Sequence, residues 1–190
     1  SLVFWITAAF MGVGVGLSLF VSEPERPKMQ QRDIYSTVIK PFIDYIDRRG
    51  VKGVLLAMVF MVLYKLGDNM ATALSTPFYL DLGFTKTEIG IWAKNAGLWS
   101  SIAGAMLGGA IMLRISINKA LWLFGFVQLL SIGGFAILAL SGPIVWLLAA
   151  VISFEYLGVG LGTAAFVAYM ARESSRTFAA TQFALFTALA

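Results

Sequence analysis

Lys65, Asp68, Lys94 and Glu155 are ionisable residues set inside long apolar stretches, and they are where this sequence could do chemistry. A carboxylate in such a setting can take up and release a proton, and an ammonium can hold an anionic group. Lys65 and Asp68 stand one helical turn apart, on a face that Thr72 and Thr76 extend. Glu155 shares a helical face with Gly158, Gly162 and Tyr169, and Lys94 shares one with Gly97, Ser101, Gly104 and Gly108. Each charge costs at least ~2.5 kcal/mol near the centre of a bilayer, so each needs a partner or a watery cavity. The plainer reading is a structural ion pair, Lys65 with Asp68 or with Glu155. Charges on three separate segments exceed what such a pair requires. An intramembrane charge points first to a substrate or ion pathway. The chain has no His and no Cys, which removes thiolate nucleophiles, disulfides and the commonest zinc sites. No metal and no cofactor are expected.

The elements that must position these charges are membrane helices. Hydrophobic residues form 59% of the chain and charged residues 13%, and the mean hydropathy is +0.83. A soluble domain carries about 25% charge. Apolar runs of about 18 residues or more recur, and in lipid only a helix lets one such segment satisfy its own backbone. The expected spans are Leu2–Val21, about Val54–Leu80, about Ile89–Leu113, Ala120–Leu140 and Ile144 to about Met170, with another beginning near Phe178. This is an all-α membrane protein of about five complete transmembrane helices plus the start of a sixth. Residues 1–21 form the first helix, 22–50 a central loop and 51–190 a partial bundle. No basic region precedes the first span and no small-residue cleavage site follows it, so it reads as a true span rather than a signal peptide. At ~1.5 Å per residue, Lys65 and Glu155 lie roughly 17 Å into their helices from opposite sides, near the middle of a ~30 Å core. Lys94 is shallower.

Positive charge orients the spans. The first loop carries Arg26, Lys28, Arg32, Lys40, Arg48, Arg49 and Lys52, and the second has only Lys86, against Asp81 and Glu88. Arg114 and Lys119 lie in the third, none in the fourth, and Arg172 and Arg176 in the fifth. Rich and poor loops alternate, which puts 22–50, 114–119 and 171–177 in the cytoplasm. The net charge of +4 reports this topology and not a nucleic-acid partner. Within the first loop, Ile34, Val38, Phe42 and Ile46 recur every fourth residue, which predicts a helix in the membrane interface, with a break at Pro41. Pro77 is expected either to kink the second span or to sit in its last turn.

The charges also have a rhythm: spans one and four carry none, while two, three and five do. That three-helix period is the internal repeat of major facilitator transporters, whose substrates bind near the midplane. Gly12-Val13-Gly14-Val15-Gly16 and Gly158-Val159-Gly160-Leu161-Gly162 are only superficially like nucleotide loops, since no strand precedes them. Together with Gly104 and Gly108 they predict close helix packing. Trp92 and Trp99 suit either stacking on a sugar ring or anchoring at the interface.

Several motifs resemble one family. Val62-Leu63-Tyr64-Lys65-Leu66-Gly67-Asp68, preceded by Lys40-Pro41-Phe42-Ile43-Asp44-Tyr45, is similar to the start of the seventh helix of AmpG-type muropeptide permeases. Lys94-Asn95-Ala96-Gly97-Leu98 is similar to that family's Asn-Lys-Thr-Leu-Gly-Leu segment, with Lys94 on its Lys. Phe154-Glu155-Tyr156-Leu157-Gly158 and Gly162-Thr163-Ala164-Ala165-Phe166-Val167-Ala168 resemble the tenth helix, and Phe178-Ala179-Ala180-Thr181-Gln182-Phe183-Ala184-Leu185 the start of the eleventh. The resemblance is collinear along nearly the whole chain. It implies a major facilitator-type bundle from the C-terminal half of a permease, with the N-terminal half of the same protein and the lipid bilayer as partners. It further implies proton-driven import of anhydro-muropeptides, from periplasm to cytoplasm, across the inner membrane of a Gram-negative bacterium during cell-wall recycling. Another anionic solute such as acetyl-coenzyme A is the alternative. Lys65, Lys94, Asn95 and Gln182 are the expected substrate-binding residues, and Glu155 and Asp68 the proton-coupling candidates.

Between those carboxylates the local sequence discriminates. Asp68 has a cation one turn away, whereas Glu155 stands among Phe154, Tyr156, Leu157 and Gly158 with no basic residue within a turn. Glu155 is therefore the expected proton carrier, with Asp68 orienting Lys65. Lys65, Asp68 and Glu155 are expected to form one connected polar network. An enzyme is not expected, because no paired acidic motif lies at a membrane face, and a purely structural subunit does not explain the buried charges.

Overall fold

The computed structural model describes residues 2–20 and 35–190. Its helices are α1 (Leu2–Phe20), α2 (Lys40–Asp81), α3 (Lys86–Glu88), α4 (Lys94–Met112), α5 (Ile117–Ser141), α6 (Val145–Glu173) and α7 (Ala179–Leu189). Tyr35–Ile39 and Ile89–Ala93 are π-helical turns leading into α2 and α4. Each expected apolar run is helical, because in these stretches the backbone bonds to itself and the side chains face either lipid or one another. Among the described residues three helices, α2, α5 and α6, are by themselves long and apolar enough to cross a membrane. The third apolar run is divided by its π-helical turn. Large apolar side chains such as Leu74, Leu129, Ile137, Leu140 and Trp146 are exposed on the outside of the bundle. An outer surface of this kind is solvated by acyl chains, and the protein is a multi-pass membrane protein.

The helix expected in the first loop is present and extends α2 backwards, but its break is elsewhere. Pro41 sits in the first turn, where its missing N–H is no loss. The break is at Gly50, with φ 69° and ψ 157°, a conformation that a side chain disfavours. Residues 40–49 thus form a separate segment, followed by the spanning part of α2. Pro77 lies inside α2, which continues to Asp81. In the 40–49 segment Pro41 and Tyr45 are buried, and the Tyr45 ring packs 5.1 Å from that of Phe186 in α7. Val38, Phe42 and Ile46 are exposed. The apolar stripe read from the sequence therefore faces away from the bundle. Ile34, Arg26, Lys28 and Arg32 lie outside the described residues.

The α2–α3 turn is closed by Gly83, φ 96°, with Phe84 N–H donating to Tyr79 O at 3.1 Å and Gly83 N–H to Leu80 O at 3.0 Å. A capping box then starts α3. The Thr85 hydroxyl accepts from the Glu88 N–H at 3.2 Å, and the Glu88 carboxylate accepts from the Thr85 N–H at 2.9 Å. The bond from the Thr85 backbone, then that from its hydroxyl, holds the Glu88 carboxyl below its ordinary value of 4.5. A depressed carboxylate stabilises the fold fully above its unfolded value, and that contribution is lost as the pH falls through the folded value. Amide exchange at residues 85–88 is therefore expected to speed up on acidification below the ordinary glutamate range. Glu88→Gln should remove that pH dependence, and an unchanged profile in the variant would show that the turn is held by something else.

The core divides into two apolar clusters. Met61, Leu121, Phe124, Ala165 and Phe166 pack with Tyr45 and Phe186 toward the end that carries Arg48, Arg49 and Arg172, here the basic end. Tyr79, Phe84, Leu138, Leu148 and Ile152 pack toward the other end, the far end.

Candidate functional site

A polar layer separates the two clusters. Lys65 and Asp68 project from α2, Gln128 and Ser131 from α5, and Glu155 and Thr163 from α6. One turn of helix brings the Lys65 ammonium to the Asp68 carboxylate at 2.9 Å. The second carboxylate oxygen accepts from the Gln128 amide at 2.5 Å, and Lys65 also reaches the Thr163 hydroxyl at 3.4 Å. Asp68 is thus held from two helices, and Lys65 from its own helix and α6. Gly158 and Gly162 make room for Gln128: a Cβ at Gly162 would lie 2.8 Å from its side-chain oxygen, and one at Gly158 3.2 Å from its Cγ. Gln128 is a site residue that the sequence reading missed. An isolated Gln amid the apolar residues of α5 was the available signal, because a side-chain amide in lipid needs a partner.

Glu155 belongs to the same layer but not to the hydrogen-bonded network. Its residue is 4% exposed, and Oε2 is buried without a hydrogen bond. No cation contacts it among the described residues. Lys65 is turned to Asp68, and Lys94 is exposed on α4 without ion pair or hydrogen bond. Asp68 is near enough to act on Glu155 electrostatically. The expected three-residue network is therefore two parts: a satisfied Lys65–Asp68–Gln128 cluster and a solitary buried carboxylate.

The remaining candidates lie apart. Asn95, beside Lys94, donates its amide to Ile91 O at 2.5 Å. Gln182 is buried at the basic end, where its amide donates to Pro41 O at 2.7 Å and to Asp44 at 3.0 Å. Its carbonyl oxygen accepts from Ser175 N–H at 2.6 Å and from Arg48 at 3.1 Å. Binding a substrate there would require these bonds to exchange. Next to it, the Glu173 carboxylate is 2% exposed and meets Arg49, the Tyr45 hydroxyl at 3.3 Å and Arg172 at 3.7 Å. Desolvation raises the Asp44 carboxyl, but hydrogen bonds from Gln182 and Arg48 outweigh it and hold the group below 3.8. Sequence reading did not single out Glu173. Its partners Arg49 and Tyr45 are 124 and 128 residues away, and no local pattern announces them.

A cavity of about 520 Å³ lies among α2, α5 and α6, lined by Phe60, Tyr64, Leu121, Trp122, Phe126 and Tyr169. It is apolar and open to the lipid side, where Trp122 is exposed, and none of the four membrane charges lines it. Among the described residues no cluster of acidic side chains is disposed to hold a metal ion. The polar layer thus holds a paired cation and carboxylate, Lys65 and Asp68, beside a second carboxylate, Glu155, that has no hydrogen bond among the described residues.

Known proteins match this chain closely in sequence. An anhydromuropeptide permease of Escherichia coli is 35% identical over 187 residues, covering 98% of this chain and 38% of that protein. The chain belongs to the AmpG permease family. A putative transporter, AmpG 4, of Rickettsia felis is 35% identical over 190 residues, covering 97% of this chain and 45% of that protein. A protein of Haemophilus influenzae named only as uncharacterized is 46% identical over 196 residues, covering 98% of this chain and 46% of its own length. The chain thus spans less than half the length of these relatives. No family profile and no solved structure matches it significantly. These AmpG relatives are named as a permease and as a putative transporter.

Proposed function

We propose that this chain is part of a proton-coupled major facilitator transporter that imports anhydro-muropeptides into the cytoplasm of a Gram-negative bacterium. The similarity to a relative named as an anhydromuropeptide permease supports the substrate class. The observation that carries the mechanism is the Glu155 carboxylate, buried and without a hydrogen-bonded or ionic partner among the described residues, beside a satisfied cation–carboxylate pair.

The chemistry follows from charge. An anionic solute entering a cell that is negative inside works against ~2.3 kcal/mol per charge per 100 mV. A co-transported proton offsets this, and it needs a group that can be charged in one state and neutral in another. Asp68 is poorly suited, since its two carboxylate oxygens are already engaged by Lys65 and Gln128. Glu155 has no such support. A buried carboxylate without a counter-ion is costly as an anion, and protonation relieves that cost. Lys65 and Lys94 then attract substrate carboxylates, with Asp68 orienting Lys65. Asn95 and Gln182 would join by exchanging their present bonds. The basic loops 22–50, 114–119 and 171–177 face the cytoplasm on this reading, the membrane is the inner one, and the rest of the permease supplies the opposite wall of the site.

Glu155→Gln in the full-length protein, reconstituted into vesicles, tests this. The amide keeps the shape of the side chain but carries no proton. Accumulation driven by a pH gradient should be lost, while exchange of substrate at equal concentrations continues. A variant that still accumulates substrate against its gradient would show that Glu155 is not the coupling group.

A further inference from the structure

Glu173, the last residue of α6, is a buried carboxylate that takes no part in the polar layer. Together with Gln182, on the first turn of α7, it receives the segment of chain that precedes Gly50. Arg49 and the Tyr45 hydroxyl, at 3.3 Å, bond the Glu173 carboxylate. Arg48 reaches the Glu173 backbone oxygen at 3.3 Å and the Gln182 side-chain oxygen at 3.1 Å. The Gln182 amide returns to Pro41 O and to Asp44. Residues 40–49 are thus fastened to the end of α6 and the start of α7 at once.

Three features mark this as a joint that opens. The segment is bounded by irregular backbone on both sides, the π-helical turn Tyr35–Ile39 before it and Gly50 after it. A residue outside the helical region at the end of an element is where a hinge absorbs its rotation. The fastenings are polar and partly in water: the side chains of Arg49, Arg48 and Asp44 are 48%, 38% and 30% exposed. Water replaces such bonds as they break, at a small net cost. Apolar packing adds little beyond the Tyr45–Phe186 ring contact, since Phe42, Ile43 and Ile46 are exposed. The last feature is what the segment joins. Helices α4, α5 and α6 pack closely as one block, whereas α2 makes its closest backbone approach to α7 among the described helices. In mid-membrane α2 is tied to the block by Asp68 with Gln128 and Lys65 with Thr163, and at the basic end it is tied through this segment.

We propose that residues 40–49 are a releasable clasp: seated on Glu173 and Gln182 they hold α2, α6 and α7 together, and they unseat about Gly50 each time the basic end opens during transport. This rests on the reading of the protein as a transporter and not on the role of Glu155. On release Arg49 and Tyr45 leave the Glu173 carboxylate, and Arg172, 3.7 Å away on the same helix, remains as its counter-ion. A buried carboxylate is thereby not stranded when the clasp opens. Release also frees the Gln182 amide, the substrate-binding candidate at this end.

The test uses the full-length protein in vesicles with an anhydro-muropeptide. Asp44→Cys and Gln182→Cys are introduced together, with any other cysteine replaced, because these two side chains are bonded at 3.0 Å. A short, membrane-permeant, thiol-reactive crosslinker that a reductant cleaves then joins them. The linked protein should lose both uptake and exchange at equal concentrations, and reductant should restore both. Loss of exchange separates this result from that of Glu155→Gln, which keeps exchange. Transport by the linked protein at the rate of the reduced one would make the segment a fixed strut and overturn the clasp. A pair that cannot be linked would overturn it too, since the segment is then not seated on α7. A second measurement leaves the side chains of the clasp intact. Ser175→Cys, at a residue whose backbone N–H donates to Gln182 at 2.6 Å, should be alkylated several-fold faster while substrate is being transported than without substrate. An equal rate would overturn the clasp even if the paired variant failed to fold. Wild-type vesicles that move no anhydro-muropeptide would refute the transport reading, and the clasp with it.

Discussion

Adding a single methyl group at Gly104 or Gly160 is expected to separate α4 from α6 and unfold the bundle at a markedly lower temperature. Among the described residues these helices approach each other backbone to backbone. A Cβ on Gly104 would collide with the Leu157 carbonyl oxygen, and one on Gly160 with the Ser101 carbonyl oxygen, with Ala105 N only 2.8 Å away. Both obstacles are backbone, which cannot rotate aside as a side chain can. At Gly108 the neighbours are Ala164 Cβ at 3.1 Å and Leu161 O at 3.2 Å, so the whole face is shaped for close approach. In lipid no hydrophobic force draws helices together, and van der Waals packing of this kind is much of what does. Overpacking ordinarily costs about 1–3 kcal/mol, and steric conflict with backbone places these sites at or above the upper end. Gly109→Ala is the control. It lies on the same helix with nothing within 4 Å of the added carbon, and a helical Gly→Ala change gains up to about 1 kcal/mol in propensity. Thermal unfolding in detergent should rank Gly109→Ala at or above wild type and Gly104→Ala and Gly160→Ala far below. Equal midpoints for all three would refute the close crossing.

Lys65→Ala carries the second large effect. Its ammonium and the Asp68 carboxylate are mostly buried, with side chains 23% and 13% exposed. Removing the cation leaves Asp68 with the Gln128 amide and no counter-charge, and breaking a buried pair from one side costs about 3–5 kcal/mol. The double variant Lys65→Ala with Asp68→Asn should recover much of that loss, because no buried charge then remains. A double-mutant cycle on unfolding midpoints measures the coupling. Should Lys65→Ala prove no more harmful than a surface change, Asp68 has another source of compensation and the pair does not hold the layer together.

The order of these effects reflects two kinds of information in the chain. Hydropathy is a local property, summed over about 20 residues, so the positions of the helices could be read directly. The one-turn spacing of Lys65 and Asp68 is local as well, and their ion pair is present as read. The same holds in part for the glycines. Gly104, Gly108 and Gly160 do let α4 and α6 approach closely, but Gly158 and Gly162 face Gln128 instead, and nothing lies within 4 Å of a Cβ at Gly12, Gly14 or Gly16, where close packing was also expected. The break at Gly50 rather than Pro41 shows the limit of such rules. Proline is hostile to the interior of a helix but welcome in its first turn, and where that turn falls depends on what Tyr45 packs against.

Composition and periodicity by themselves determined that this is a membrane protein of helices with charge buried among them, and that Lys65 and Asp68 face the same way. Only the tertiary structure decided which charges are satisfied. Gln128 reaches Asp68 from 60 residues away, Arg48 reaches Gln182 across 134, and both depend on how helices cross rather than on their own sequence. The separation of Glu155 from Lys65 belongs to the same class of fact. Helical spacing put both near the midplane, but whether an ammonium turns to a carboxylate on its own helix or on a neighbour is settled by distances between axes. Here the near partner on α2 takes the cation, and the carboxylate on α6 is left alone.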